Sequence, residues 1–241
     1  MSGPMSAADY HEFMLASKFD RNIRTAFQRF ALNLSSSGSS ILDFGAGTGI
    51  DSKAYASHGH KVYAYDSSRD MRAYLSRYCR KEIDAGQVTV VELEYDAFLG
   101  LRRVCEESLD VITANFAVFN IVDDHARLFK VFDRWLSPNG VIFASLLNPY
   151  YIGDARYAWW WRNLGALIRT GRYSVGCGAG VSHRFALLPL KNAANPYFRL
   201  DGILHGAMAR PYSIRQTALT GAARALSMLI SPYMFLLFQR R

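Results

Sequence analysis

The spacing of apolar residues along the chain changes at a serine-rich loop, residues 34–40 (LSSSGSS). Before this loop, apolar residues recur at helical spacing over residues 13–34, which predicts an amphipathic helix or a pair of helices. After it, short apolar runs alternate with helical patterns. The predicted strands are 40–44, 61–66, 87–92, 109–115 and 141–147. The predicted helices are 49–58, 70–85, 99–107 and 123–136, with a turn at 137–140.

This alternation predicts βαβ units, and therefore an α/β fold with a doubly wound, mostly parallel sheet and helices on both faces. The alternation stops at Asn148, where aromatic residues, glycine and arginine become frequent. We expect a lid inserted there after the fifth strand. The later elements are predicted at 155–169 (helix), 185–194 (helix), 197–204 (strand), 213–229 (helix) and 233–239 (strand).

Length and composition fit a single domain. The chain has 241 residues, half of them apolar, which is enough for a sizeable core. Within that domain we predict N-terminal helices that cover the core, a ligand-binding core, the lid insertion, and C-terminal helices with closing strands. Their predicted bounds are 1–35, 36–147, 148–184 and 185–241.

Charge is distributed unevenly between the two ends of the chain. Residues 150–241 carry 12 Lys/Arg against 2 Asp/Glu, whereas the rest of the chain is close to neutral. This basic region favours an anionic partner, such as an acidic carrier protein or an anionic membrane surface, unless it is simply a solvated face. Nucleic acid is less favoured, because the arginines are scattered among aromatic residues rather than clustered.

The cysteines and the N-terminus indicate where the protein works. Three cysteines without a C-x-x-C pattern disfavour a disulfide scaffold or a zinc site, so no metal is predicted. The N-terminal residues lack a basic patch followed by an apolar run, so no signal peptide is expected. We therefore expect a cytoplasmic protein, with peripheral attachment to the inner face of the membrane as an alternative.

The most informative motif is residues 41–49 (ILDFGAGTG), an apolar strand that ends in a glycine-rich loop. Asp43 is followed by glycines at alternate positions, Gly45, Gly47 and Gly49, with Ala46 between the first two. Glycine lets a backbone turn tightly and approach a ligand closely. The loop also opens a helix, whose free N–H groups attract an anionic group such as a carboxylate. Asp43 is suited to meeting an ammonium group, directly or through water.

Acidic residues also follow the next two strands. Asp66 lies at the end of the second strand, where a carboxylate can accept two hydrogen bonds from a ribose diol. Asp96 follows the third strand and can accept the exocyclic amine of an adenine ring, on which Met71 is placed to pack. The remaining residues predicted to contact the ligand are Ser67, Ala97 and Asn115.

Together these motifs resemble the class I, seven-stranded S-adenosylmethionine-dependent methyltransferases. Residues 43–49 match the family's first motif, and Asp66 and Asp96 match its ribose and adenine acids. Residues 109–112 with 114–120 match the fourth-strand motif. Residues 136–140 resemble its L-x-P-G-G turn, with Asn139 in place of the first glycine. The match covers about residues 36–147.

The resemblance implies S-adenosylmethionine as methyl donor, S-adenosylhomocysteine as product, and an antiparallel last strand inserted beside the fifth. Methyl transfer is an in-line displacement on an activated donor, so positioning supplies much of the acceleration. A hydroxyl or ammonium acceptor also requires a base. The weak candidates are His11, His125 and His183, each of which is more readily explained as a surface or structural histidine.

The acceptor is less well indicated than the donor. Asn115 is followed by Phe-Ala-Val rather than Pro-Pro-Tyr, so the resemblance does not extend to enzymes that methylate base or glutamine amino groups. Aromatic residues instead predict a small, hydrophobic or aromatic acceptor, with O-methylation favoured. The alternatives are an RNA methyltransferase and a non-catalytic protein that binds S-adenosylmethionine. The predicted acceptor pocket comprises Tyr10, Phe116, Tyr150, Tyr151 and Trp160.

Overall fold

The computed structural model describes residues 5–177, 180–205 and 229–241. The strands are β1 Ser40–Phe44, β2 Lys61–Tyr65, β3 Val88–Val91, β4 Leu109–Ala114, β5 Leu136–Leu147, β6 Arg172–Cys177, β7 Gly180–Phe185, β8 Phe198–His205 and β9 Tyr233–Arg240. The helices are α1 Ala7–Ala16, α2 Lys18–Leu34, α3 Ile50–Ser57, α4 Arg69–Tyr78, α5 Arg80–Asp84, α6 Tyr95–Gly100, α7 His125–Trp135, α8 Ala158–Thr170 and α9 Leu187–Ala194. Short 3₁₀ helices lie at Val118–Ile121 and Ile152–Arg156.

Seven of these strands form one sheet in the order β3-β2-β1-β4-β5-β9-β8. Strands β1 to β5 pair in parallel, whereas β9 is antiparallel to both of its neighbours, β5 and β8. The predicted α/β fold, with a mostly parallel seven-stranded sheet and an antiparallel last strand beside the fifth, is confirmed. The order reverses between β1 and β4, and the carboxyl ends of the strands at such a point form a ligand-binding crevice.

Helices cover both faces of the sheet, as the sequence predicts. Side chains alternate between the faces along each strand, so neighbouring residues of β5 enter different cores. Phe143 packs with Phe27 of α2 and Phe235 of β9 on one face. Ile142 belongs to the core on the other face, together with Phe129 and Phe132 of α7.

Several predicted elements differ from the observed ones. The helix predicted at 99–107 is wrong: α6 lies at Tyr95–Gly100, because Phe98 and Leu99 are the buried residues there and residues 101–108 are irregular. The turn predicted at 137–140 lies inside β5, where the register with β4 shifts between Leu109 and Val111. The helix predicted at 70–85 divides at Cys79 into α4 and α5.

The ends of the chain also differ from expectation in part. The N-terminal pattern forms two helices, and only part of its apolar set is buried: Phe13, Leu15 and Phe19 are exposed, whereas Ile23 and Phe27 are in the core. The helix predicted at 213–229 lies outside the described residues except for its last residue.

The segment between β5 and α9 contains a feature that the sequence analysis missed. Strands β6 and β7 form a separate two-stranded antiparallel sheet after α8. A 3₁₀ helix occupies residues 152–156, so α8 begins later than predicted. Whether this segment acts as a lid stays a prediction. Across the described ranges, no helix combines the length and apolarity needed to cross a membrane.

Candidate active site

The glycine-rich loop lies between β1 and α3, at the carboxyl edge of the sheet. The amides of Gly45 and Ala46 both donate to the carbonyl oxygen of Tyr65 at 2.8 Å, which ties the loop to the end of β2. Gly45, Gly47 and Gly49 all have positive φ, at 77°, 54° and 87°. A Cβ atom on Gly45 would lie 2.3 Å from Val118, so glycine is required there both for conformation and for space.

Asp66 follows β2 and lies against this loop. Its Oδ2 accepts a hydrogen bond from the Gly47 amide at 2.8 Å, and its Oδ1 accepts one from the Ser68 amide at 2.8 Å. Burial raises the pKa of this carboxyl above its ordinary value. Each carboxylate oxygen has a second lone pair, so both can still accept a ribose hydroxyl. The free lone pairs of the Asp66 carboxylate therefore suit the ribose diol that the sequence predicts as its partner.

Arg72 is a positioning residue that the sequence analysis missed. Its buried guanidinium donates from Nη1 to the carbonyl oxygens of Asp66 at 2.7 Å, Ser67 at 3.0 Å and Leu93 at 3.2 Å. Nη2 bonds Glu94 at 3.1 Å. Arg72 thereby joins the chain after β2 to the chain after β3. The available signal was its spacing: it lies three residues before the buried Leu75, on the inward side of α4.

Asp96, unlike Asp66, is exposed and is not bonded to the glycine-rich loop. It lies in the first turn of α6, and its side chain is 85% exposed and paired with Arg127 at 2.9 Å. Ala97 and Ser67 are also exposed, and Met71 is half-buried. Asp96 thus follows β3, as Asp66 follows β2, but it has no contact with the loop of the kind that Asp66 makes. The contact of Asp96 and Met71 with adenine stays a prediction.

Asp43 is buried beneath the loop, with 1% of its surface exposed. Its Oδ2 accepts a hydrogen bond from the Ser52 hydroxyl at 2.6 Å, and the Thr113 hydroxyl lies 3.4 Å from its Oδ1. Burial raises the pKa of this carboxyl to about 7, and the nearby charge of Asp51 adds to the effect. In this conformation the Asp43 carboxylate is bonded to Ser52, near the start of α3. Its contact with an ammonium group stays a prediction.

A buried ionic network underlies the loop, and it too was missed. Asp51 accepts hydrogen bonds from Arg24 of α2 at 2.5 Å, Gln28 at 2.7 Å and Asn115 at 3.0 Å. Asn115, a predicted ligand contact, in turn accepts a hydrogen bond from the Ser145 hydroxyl at 3.1 Å. The network joins α2, α3, β4 and β5 around the switch point of the sheet. Arg24 precedes the buried Phe27 by three residues, which is the one signal that sequence offered.

The chain after β4 is strained where it passes this network. Phe116 and Ala117 are consecutive non-glycine residues with positive φ, at 51° and 64°. Such conformations cost about 1–3 kcal/mol each and cluster at functional sites. The Phe116 ring lies under the Arg24 guanidinium, 4.4 Å from its centroid, and packs edge-on against Tyr233. Tyr233 is an aromatic neighbour that the predicted acceptor pocket did not include.

The three candidate histidines occupy different places. The Nδ1 of His11 lies 2.9 Å from the Thr48 hydroxyl of the loop, and its ring packs against Tyr74 and Tyr78. Burial lowers the pKa of His11. His125 Nε2 lies 2.9 Å from the Phe119 carbonyl oxygen, and His183 contacts Asp123 and Ser174. Of the three, His11 is the one whose contacts place it against the glycine-rich loop.

The predicted acceptor residues divide between two places. Tyr10 lies over the loop: a Cβ atom on Gly47 would be 3.8 Å from its ring. Burial raises the pKa of Tyr10. Phe116 lies against the Arg24 guanidinium. By contrast, Tyr150, Tyr151 and Trp160 follow β5, where the Trp160 indole donates to the Pro149 carbonyl oxygen at 3.3 Å.

The described part of the chain contains no group of three His, Cys, Asp or Glu residues arranged to hold a metal ion.

Comparison with known proteins identifies the family to which the fold and the glycine-rich loop belong. The model of the methyltransferase domain family matches residues 14–172, which include the glycine-rich loop, Asp66, Asp96 and Asn115. The chain therefore belongs to this family, and its sheet is that of the class I S-adenosylmethionine-dependent methyltransferases.

Two curated relatives and a solved structure illustrate the likeness. The chain is 32% identical over 115 residues to a ubiquinone biosynthesis O-methyltransferase of Pasteurella multocida, covering 46% of this chain and 47% of that protein. It is 28% identical over 127 residues to a cypemycin N-terminal methyltransferase of Streptomyces, covering 49% of this chain and 48% of that protein. The chain thus spans about half the length of these curated relatives.

The N-methyltransferase NodS of Bradyrhizobium japonicum, solved with S-adenosyl-L-homocysteine, superposes with a TM-score of 0.57. The sequence identity is 12%, and the match covers 94% of this chain and 90% of that one, so it shows the fold alone. The residues of the present site fit such a ligand on their own chemistry: a glycine loop beneath Tyr10, and an Asp66 carboxylate that retains acceptor capacity.

Proposed function

We propose that this protein transfers a methyl group from S-adenosylmethionine to a small, hydrophobic or aromatic acceptor, with a hydroxyl oxygen as the favoured acceptor atom. The observation that carries this proposal is the Gly47–Asp66 hydrogen bond. This bond holds Asp66 against the glycine loop at the switch point of the sheet, which supports its proposed role as the acid that binds the ribose. S-Adenosylmethionine, when bound, supplies a methyl group already activated by a sulfonium centre.

Each part of the donor would meet a particular group of the chain. Loop amides from Gly45 to Gly49 would hold its carboxylate at the start of α3, and Asp66 would accept the ribose hydroxyls. Asp96 and Met71 would contact the adenine. Asn115 and the Arg24–Asp51 pair would hold the chain after β4 in its strained course, because Asn115 bonds Asp51 directly.

The acceptor side is supported by the aromatic residues near the loop. Tyr10 lies over Gly47, and Phe116 packs against Tyr233 beside Arg24. This ring surface favours a flat or apolar molecule over a strongly polar one. Burial lowers the pKa of His11, which favours the neutral imidazole that can accept a proton. We propose it as the base, while its packing between Tyr74 and Tyr78 also supports a role in fixing α1 on the loop.

The basic region points to an anionic partner for delivery of the acceptor, either an acidic carrier protein or an anionic membrane surface. Among the curated relatives one is named an O-methyltransferase and another an N-terminal methyltransferase. The choice of acceptor atom therefore rests on the aromatic side chains near the loop and on His11.

A radiochemical assay tests the proposed function. The protein is incubated with methyl-labelled S-adenosylmethionine and a set of phenols, aliphatic alcohols, amines and RNA. We expect label in a phenolic product, with the rate lost in Asp66→Ala. Donor binding without transfer to any acceptor would favour the non-catalytic alternative. Label in RNA, with affinity that falls steeply with salt, would favour the RNA alternative.

His11→Gln separates the two roles of that residue. If His11 is the base, the variant loses turnover and its rate no longer falls as the histidine is protonated at low pH, while affinity for S-adenosylhomocysteine is kept. A loss of donor affinity with an unchanged pH profile would instead assign His11 to positioning of α1 alone.

A further inference from the structure

Helix α8 presents a row of large apolar side chains to solvent. Trp161 is 60% exposed and Ile168 is 77% exposed, and a seven-residue separation places them on the same side of a helix. Tyr157, at the start of the helix and 43% exposed, and the half-buried Leu164 continue the same row. Leu167, about 100° around the helix from Ile168, is buried. The helix therefore packs on the protein through one side only.

The exposed part of Trp161 is almost purely apolar. Its indole Nε1 donates to the Ala155 carbonyl oxygen at 2.7 Å, so its one polar atom already has a partner inside the protein. The ring also packs edge-on against Trp160, with centroids 4.9 Å apart. The Trp161 ring therefore presents a fixed hydrocarbon surface to solvent. Several such exposed apolar side chains together mark an interaction site.

Positive charge lies along one flank of this apolar row. Arg162 and Arg169 each follow a residue of the row by one position, which places both about 100° around the helix on the same flank. Both are exposed, and α8 contains no acidic residue. Arg156 adds a third cation, which lies over the Tyr157 ring at 4.7 Å. An apolar row with a cationic flank is complementary to acyl chains beneath anionic headgroups.

We propose that α8 is a peripheral docking element that lies in the headgroup region of a bilayer containing anionic lipid, with Trp161 and Ile168 inserted among the acyl chains. The bilayer is thus the anionic partner that the proposed function left open. The purpose of docking, which is access to a hydrophobic acceptor, rests on that proposed function. A bilayer accounts for the row and the arginines together. An acidic carrier protein accounts for the arginines but not for the hydrocarbon row.

Vesicle binding by the full chain tests this assignment. Sedimentation is measured with vesicles of phosphatidylcholine alone and with added phosphatidylglycerol. We expect binding that requires the anionic lipid and that weakens by about tenfold or more in Trp161→Ser/Ile168→Ser and in Arg162→Gln/Arg169→Gln. Brominated lipid should quench tryptophan fluorescence in the wild type, and Trp161→Phe should remove most of that quenching.

Matched controls come from other exposed residues. Leu188 of α9 is 65% exposed, and Arg80 and Lys81 of α5 are exposed cations. Leu188→Ser and Arg80→Gln/Lys81→Gln should bind vesicles as the wild type does. Affinity for S-adenosylhomocysteine, measured on every variant, should be unchanged, which shows that the α8 variants fold and keeps this test separate from the donor site.

Three results would overturn the assignment: vesicle binding unchanged in the Trp161/Ile168 variant, equal loss in Leu188→Ser, or equal binding to neutral vesicles. If the wild type binds an acidic carrier protein but does not bind vesicles, the surface of α8 is a docking site for that carrier and not for a bilayer. Absence of methyl transfer together with intact, α8-dependent vesicle binding would refute the proposed function and leave the docking surface standing.

Discussion

The glycine loop and the insertion after β5 differ in which kind of side chain they bury and which they expose. Around the loop, charged side chains are buried and bonded to one another, as in the contacts of Asp51 with Arg24, Gln28 and Asn115. In the insertion, apolar side chains are exposed, as in Trp161 and Ile168. The first arrangement fixes a rigid shape for one ligand, whereas the second leaves a surface that needs a partner.

This difference indicates where specificity for each substrate resides. The proposed donor site is held by hydrogen bonds that join two helices and two strands, α2, α3, β4 and β5, so its geometry is determined by the folded core. The insertion consists of its own helix and hairpin, and the hairpin meets the core through Asn120 and His125. Substitutions should therefore affect stability and donor affinity strongly in the first region, and mainly partner binding in the second.

The largest expected effect is that of Arg24→Met. The change leaves the buried carboxylate of Asp51 without its cation, and breaking a buried ion pair in this way costs about 3–5 kcal/mol. Urea denaturation measures the loss in the free energy of unfolding. Arg29→Met, at an exposed position of the same helix, is the control and should change stability by less than about 0.5 kcal/mol. Equal effects of the two changes would refute a special role for the network.

A smaller loss is expected for Gly45→Ala. The added Cβ would lie 2.3 Å from Val118, and alanine would be held at a φ of 77°. Overpacking and backbone strain together should cost about 2–4 kcal/mol. Gly38 offers a matched control, because its φ is 82° but nothing lies within 4 Å of its added Cβ. Gly38→Ala should therefore cost about 1 kcal/mol, from strain alone. Thermal unfolding of the two variants compares them directly.

A third effect is a slope with pH rather than a single loss, and it concerns the pH dependence of stability at Asp43. Its pKa in the folded protein is raised to about 7, above its value in the unfolded chain, because the carboxyl is buried. The folded state then binds the proton more tightly, so this contribution to stability is complete at low pH and falls as the pH rises towards 7, by at most about 1.4 kcal/mol per pH unit. Asp43→Asn should remove that slope. A variant with the wild-type slope would assign the dependence elsewhere.

The parallel strands were predictable because each depends on local sequence, and the same is true of the motifs to which we assign the donor. Buried strands such as β1 and β4 are short apolar runs, and Asp66 follows such a run directly. The Arg24–Asp51 pair and Arg72 depend on partners in other elements, whose positions only the fold defines. The β6–β7 hairpin was missed because glycines at 176, 178 and 180 indicate a loop, although Tyr173, Val175 and Cys177 alternate with polar or small residues along β6.

The donor site is the central claim, and calorimetry with S-adenosylhomocysteine tests it most directly. Asp66→Ala removes the predicted partner of the ribose diol, so its affinity should fall by about 100-fold while circular dichroism shows an intact fold. Asp70→Ala, an exposed acid in the first turn of α4, should bind as the wild type does. Unchanged affinity in Asp66→Ala would contradict the assignment of this site.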